Sequence, residues 1–202
     1  MYRAVGNLCA VNFSELELPI SEREAMGMLS QLGFQKVDAS FSEIAMSVVG
    51  KNYRKTARFA EAPNVFNCSS LPKWVYAQCG IWIPRWAIQQ FRFGTQVDLD
   101  DLKQGDIIFS AGFTPSYEDD ITIGVGHSML ALGNGLIVHA TSRIGCVGIY
   151  TDSLEQISSN NGYRGIRRII ADWERIVTFR IPETIEVETS DDIKWIIYQN
   201  LL

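Results

Sequence analysis

The sequence predicts an α+β domain in which helices pack on a central antiparallel β-sheet, and three observations predict it. Helical signals crowd the first half of the 202-residue chain and strand signals the second. Tight turns, not crossover helices, separate the strand runs, so neighbouring strands are antiparallel. The composition, 47% hydrophobic and 20% charged, is that of a soluble globular chain, and its length buries a core without disulfides or metals.

Residues 1–20 carry no clear pattern. Ser21-Glu22-Arg23-Glu24 is a capping box that opens a helix through about Gly33, with Ala25, Met28, Leu29 and Leu32 as its apolar face. A second helix runs from Phe41 to about Val49 and stops at Gly50. Lys51 to Asn67 has little periodicity and reads as a loop leading to Cys68. The next helix reaches about Cys79 and ends at Gly80. Its start is set by Pro72, which lacks an N–H and fits only the first turn, where donors have no intrahelical partner. The helix therefore begins around residues 68 to 71, with Cys68 at or next to its N-terminus.

A short helix follows Pro84 to about Phe93, and a charged turn spans Asp98 to Gly105. Strands then follow at Asp106–Ser110, His127–Leu132, Leu136–Thr141, Cys146–Tyr150 and Gly165–Ile170, with a further one at Ile176–Ile181. The chain thus divides into an N-terminal helical segment (1–40), a main domain (41–170) and a C-terminal extension (171–202).

The net charge of −5 argues against a nucleic-acid partner. The one basic cluster, Arg164, Arg167 and Arg168, reads as a solvated strand edge. No run approaches the ~20 apolar residues of a membrane span. The first residues lack the apolar core of a secretory signal, so the expected location is the cytoplasm, or outside it by a route the sequence does not display. The four cysteines are irregularly spaced and form neither a disulfide framework nor a C-x-x-C zinc site. Cys79 and Cys146 lie in apolar runs and read as small buried hydrophobes.

Cys68 is different. A helix N-terminus carries about half a positive charge and lowers cysteine pKa values from about 8.5 toward about 3.5–7.5, which makes a nucleophile. The only two histidines, His127 and His139, lie in strand runs on either side of Gly133-Asn134-Gly135, a hairpin signal. A two-residue turn at Asn134-Gly135 sets His139 opposite Leu130 and the rings on opposite faces. A three-residue loop sets it opposite Met129, and the rings become diagonal neighbours about 7–8 Å apart at the backbone. The three-residue loop is the one adopted here. Cys68 then attacks, His127 takes its proton and later protonates the leaving amine, and His139 bonds the second ring nitrogen of His127. Backbone N–H groups of Cys68 and Ser69 are candidates to hold the oxyanion. Each of these residues also has an ordinary structural role open to it, as a helix start or a satisfied core histidine. Zinc on the same three residues lacks a fourth ligand, so no metal or other cofactor is expected.

The blocks NCSSLPKWVYAQCGIWIPR, LKQGDIIF and VGHSMLALGNGLIVHA, in that order, resemble the NlpC family (the NlpC/p-sixty group) of papain-like cysteine peptidases that cut bacterial cell-wall peptides. The resemblance runs from about Ile44 to Ile170, where RGIRRII looks like the family's last strand. It implies a sheet of four to six strands packed against the nucleophile helix. It implies Cys68 as nucleophile, His127 as base and His139 as the third, polar member. Tyr53 matches a tyrosine that lines the family's active site, and Ser69 the serine after the nucleophile. Asn67 stands where the family commonly has an aspartate that helps hold a free amino group of the substrate. Arg54-Lys55-Thr56-Ala57 replace the usual glycines, and the acidic segment Ser110–Gly126 reads as a lid or a solvated loop. The implied reaction is hydrolysis of a bond such as D-γ-glutamyl–diaminopimelate in a peptidoglycan-derived peptide. A thiol amidase, deamidase or acyl transferase on another amide, and a catalytically silent binding module, are the alternatives.

Overall fold

The computed structural model describes residues 1–111, 124–143, 146–155 and 162–201. Most of the acidic segment read as a lid or loop (112–123) and the side chain of Cys146 lie outside the described residues. In chain order the elements are β1 (Leu8–Val11), α1 (Glu22–Gln31), β2 (Gln35–Val37), α2 (Phe41–Met46), β3 (Asn52–Tyr53), β4 (Val65–Phe66), α3 (Ser70–Gln78) and α4 (Ala87–Phe91). Then come β5 (Thr95–Val97), β6 (Ile107–Ala111), β7 (Val125–Gly133), β8 (Leu136–Arg143), β9 (Cys146–Ser153), β10 (Tyr163–Arg168), β11 (Val177–Arg180) and α5 (Ser190–Gln199). The chain divides into two units, one of residues 1–40, 76–82 and 172–202, the other of residues 41–75 and 83–171.

In the first unit, α1 opens on the capping box the sequence predicts. Ser21 Oγ accepts from the Glu24 N–H at 3.3 Å, and the Glu24 carboxylate accepts from the Ser21 N–H at 2.9 Å. A three-stranded antiparallel sheet, ordered β1-β11-β2, joins residues from both ends of the chain. Its core holds Val11, Leu29, Phe34, Phe179, Ile193 and Ile197, with Phe179 edge-on to both Phe13 and Phe34.

The second unit holds a six-stranded antiparallel sheet ordered β5-β10-β6-β7-β8-β9. Period-2 alternation gives it two apolar faces. Ile107, Leu130 and Val138 stand in line on one. Ile108, Met129, Ala131, Ile137 and Ile166 cluster on the other. Phe91 of α4 packs edge-on against Phe109 of β6, at 5.3 Å between ring centres. The segment before Tyr53 is drawn close to β9. Ile149 donates to Lys51 O at 3.0 Å, and a Cβ on Gly148 (φ +145°) would lie 2.9 Å from that oxygen, so only glycine fits there.

The arginine cluster is a correction. β10 lies between β5 and β6, and its arginines are engaged within the unit. Arg168 forks onto Asp106, which is buried, at 2.8 and 2.7 Å. Arg167 donates to Phe91 O at 2.7 Å and lies 4.0 Å above that ring. The positive charge looked solvated because its buried partner stands sixty-two positions away in sequence.

Candidate active site

Cys68 sits just ahead of α3, in a turn whose hydrogen bonding starts at Asn67. Asn67 Oδ1 accepts from the Ser70 N–H at 2.9 Å, Ser70 Oγ accepts from the Asn67 N–H at 2.8 Å, and Asn67 O accepts from the Leu71 N–H at 3.2 Å. Asn67 is thus the N-cap, and Cys68 is the first residue of the turn it caps.

The same contacts revise the substrate-binding role expected of Asn67. Its Nδ2 donates to Lys55 O at 3.1 Å and Ala57 O at 3.2 Å, and the side chain is buried. Both amide hydrogens are committed inside the protein, which leaves none for a substrate. Ser69 is also turned inward. Its hydroxyl accepts from Arg85 Nη1 at 2.9 Å, and its carbonyl accepts from the buried Gln90 Nε2 at 2.9 Å. Tyr53 is half-buried beside the thiol. Burial pushes its hydroxyl up, a hydrogen bond with Ser142 opposes that, and the Cys68 charge adds to it.

Cys68 is held by the residues on either side of His127. Its Sγ lies 3.8 Å from the Gly126 carbonyl, and its own carbonyl accepts from Ser128 Oγ at 3.1 Å. The β6–β7 ladder shifts register beside Gly126: Ser110 pairs with His127, but Ala111 pairs with Val125. Burial pushes the Cys68 thiol up, and it outweighs the backbone N–H groups of Ser128 and Ser69 and the Arg85 cation, which all pull down. The helix N-terminus alone predicts a lowered value, so the net direction differs from that expectation because the sulfur is desolvated.

The two imidazoles share a face. His127 Nε2 lies 3.1 Å from His139 Nδ1, with ring centres 5.4 Å apart. The hairpin achieves this differently from the expected three-residue loop. Its tip is the two-residue turn Asn134-Gly135, both with positive φ (51° and 73°), which closes Gly133 on Leu136. That turn alone would split the rings. Between Ala131 and Gly133 the register shifts, Leu132 being the extra residue of a bulge, so Leu130 stands opposite Val138 and His139 moves onto the face of Met129.

Two further residues were not singled out from the sequence. Asp152 Oδ2 lies 2.9 Å from His139 Nε2. It was missed because the strand was read as ending at Tyr150, whereas β9 runs to Ser153. Arg85 bridges Ala57 O at 2.7 Å, Ser69 Oγ at 2.9 Å and Asn67 Oδ1 at 3.3 Å, a convergence that sequence spacing does not announce. Among the described residues no group of three or more His, Cys, Asp or Glu side chains is placed to hold a metal. No helix among them is long and apolar enough to cross a membrane.

The family model of NlpC/P60 proteins matches residues 50–168, more than half of the chain, and that range holds every residue of this site. The chain belongs to the NlpC/P60 family. Its fold is the papain-like one of NlpC/P60 domains. A NlpC/P60 family protein from Bacillus cereus matches with a TM-score of 0.54 at 26% identity, covering 67% of this chain and 41% of that one. NlpC1 from Trichomonas vaginalis matches in fold with a TM-score of 0.54 at 24% identity, over 64% of this chain and 42% of that one. In sequence, a gamma-DL-glutamyl hydrolase of Bacillus subtilis is 33% identical over 112 residues, which is 53% of this chain and 24% of that protein. The peptidoglycan endopeptidase RipB of Mycobacterium tuberculosis is 33% identical over 84 residues, 42% of this chain and 31% of that protein. The chain spans about a third or less of the length of the curated relatives it matches first.

Proposed function

We propose that this NlpC/P60 domain is a cysteine peptidase or amidase that hydrolyses peptide bonds of peptidoglycan stem peptides, of the D-γ-glutamyl–diaminopimelate type. The observation that carries it is the 3.1 Å contact between His127 Nε2 and His139 Nδ1, on a strand whose neighbouring residues Gly126 and Ser128 both touch Cys68. With Nε2 turned to His139, Nδ1 is the nitrogen of His127 that serves the thiol. The thiol proton moves to Nδ1 and the sulfur attacks the amide carbonyl. The N–H groups of Cys68 and Ser69, at the start of the capped turn, face the oxyanion. As the C–N bond breaks, the Nδ1 proton passes to the leaving amine and a thioester remains on Cys68. Water, deprotonated by His127, then hydrolyses the thioester and restores the thiol. Tyr53 lines the cleft beside the sulfur. The relatives include a gamma-DL-glutamyl hydrolase and a peptidoglycan endopeptidase, which supports the substrate class.

Incubation with muropeptides is expected to release stem-peptide fragments, and Cys68→Ala to abolish the release. Full activity without the thiol rejects the assignment.

One observation favours a second reading. The amide of Asn67 is spent on internal bonds and the Arg85 cation lies beside it, so no carboxylate stands there to hold a free amine. The same triad would then serve another amide as a deamidase or acyl transferase. Labelling of Cys68 by an acyl electrophile while muropeptides stay uncut selects this option.

A further inference from the structure

The mechanism needs His127 Nδ1 to be a bare nitrogen when it meets the thiol. A neutral imidazole carries one N–H, and the partner of either nitrogen decides where it sits. Asp152 Oδ2 lies 2.9 Å from His139 Nε2, and a carboxylate only accepts, so His139 holds its proton on Nε2. Nδ1 of His139 is then the bare nitrogen. In the 3.1 Å contact it accepts, and His127 Nε2 donates. His127 therefore keeps its own proton on Nε2, and its lone pair is on Nδ1.

We infer that Asp152 is a positioning residue that sets the tautomer of both histidines, so that His127 offers a lone pair to Cys68 and not an N–H. This inference rests on the reading of Cys68 and His127 given above. In the opposite setting His139 donates from Nδ1, His127 accepts on Nε2, and an N–H on His127 Nδ1 cannot take the thiol proton. With Asp152 in place the proton balance is simple. The thiol proton lands on His127 Nδ1 and the electron pair stays on sulfur. The imidazolium still donates through Nε2, His139 stays neutral, and the carboxylate stays ionised.

The strand register supports the assignment. His139 pairs with Tyr150 and Ile137 with Asp152 across β8 and β9, which makes Asp152 a diagonal neighbour on the face of the histidine. The His139 side chain is 9% exposed and that of Asp152 31%, so the carboxylate closes the outer side of a buried ring and is accessible to substitution.

The chain has only two histidines, so ¹⁵N spectra of the labelled full chain resolve both rings. At a pH where the rings are neutral, the wild type is expected to show Nε2–H in both. Asp152→Ala is expected to populate Nδ1–H on His127. Losing a charged hydrogen-bond acceptor here should slow alkylation of Cys68 by iodoacetamide about 10- to 100-fold. The kcat on the tripeptide L-Ala-γ-D-Glu-diaminopimelate should fall in step, with KM unmoved. Asp152→Glu should restore part of both rates, and Asp152→Asn, whose amide both donates and accepts, should give mixed tautomers. An Nδ1–H on either ring of the wild type overturns the inference, as do unchanged tautomers and rates in Asp152→Ala. Cleavage that survives Cys68→Ala or His127→Ala instead refutes the reading of the site. If those two variants are dead while Asp152→Ala is unaltered, only the role of Asp152 falls.

Discussion

Replacing Arg85 by methionine removes the cation beside the thiol while keeping much of the side chain's volume. The guanidinium's bonds to Ala57 O, Ser69 Oγ and Asn67 Oδ1 are lost. None of these atoms is left without a partner. Ala57 O still accepts from Asn67 Nδ2 at 3.2 Å, Asn67 Oδ1 from the Ser70 N–H at 2.9 Å, and Ser69 Oγ still donates to Asn67 Oδ1 at 3.4 Å. The loss is therefore the modest net worth of bonds from a half-buried cation, about 1–2 kcal/mol, or about 2–8 °C in Tm at this chain length. The effect on the sulfur has a definite sign. Burial pushes the Cys68 thiol up and Arg85 opposes it, so without the cation the thiol ionises at still higher pH.

The assay is the rate of iodoacetamide alkylation against pH, read by mass spectrometry on the peptide that carries Cys68. Cys9 and Cys79 serve as internal controls, because burial pushes both thiols up to about 12. The Cys68 curve is expected to move to higher pH in Arg85→Met and to stay close to wild type in Arg85→Lys, which keeps the charge. A curve that stays in place in Arg85→Met, or moves to lower pH, refutes the electrostatic account of this thiol.

Deleting Leu132 removes the bulged residue and leaves a regular ladder behind the two-residue turn, still with Ala131 opposite Ile137 and Leu130 opposite Val138, so the imidazoles stay on one face. Retained cleavage with a folded sheet by circular dichroism is the expected outcome, and a folded but inactive deletion contradicts this account of the bulge. Asp106→Ala leaves Arg168 with the Asp101 carbonyl but no buried carboxylate. It should destabilise the second unit by about 3–5 kcal/mol in urea unfolding, toward the low end because of that remaining bond. A loss under 1 kcal/mol would mean that the pair is worth no more than a surface one.

Much of the fold follows from local chemistry that a sequence displays. Ser21 and Glu24 announce α1, and Pro72 bounds the start of α3 because a residue without an N–H has few places to go. The long strands β6 to β10 show in their apolar runs, although their ends were read short or shifted by up to three residues. β1 to β5, with two to four residues each, are too short to display a period, and tertiary pairing alone makes them strands. The candidate site was legible in the grouping of Cys68, His127 and His139 and opaque in what supports them. The rings share a face through a bulge at Leu132, which no turn signal marks. The thiol's direction reversed because burial is a property of the assembled sheet and not of the helix end. Asn67 resembles a substrate contact until its amide is seen spent on Lys55 and Ala57.

Intact-mass and peptide mass spectrometry during turnover of L-Ala-γ-D-Glu-diaminopimelate test most directly whether the thiol does the chemistry. A transient L-Ala-D-Glu thioester on Cys68, lost on completion and never formed in His127→Ala, is the predicted result. Hydrolysis of the tripeptide with no adduct on Cys68, at a rate unchanged in Cys68→Ala, would contradict it.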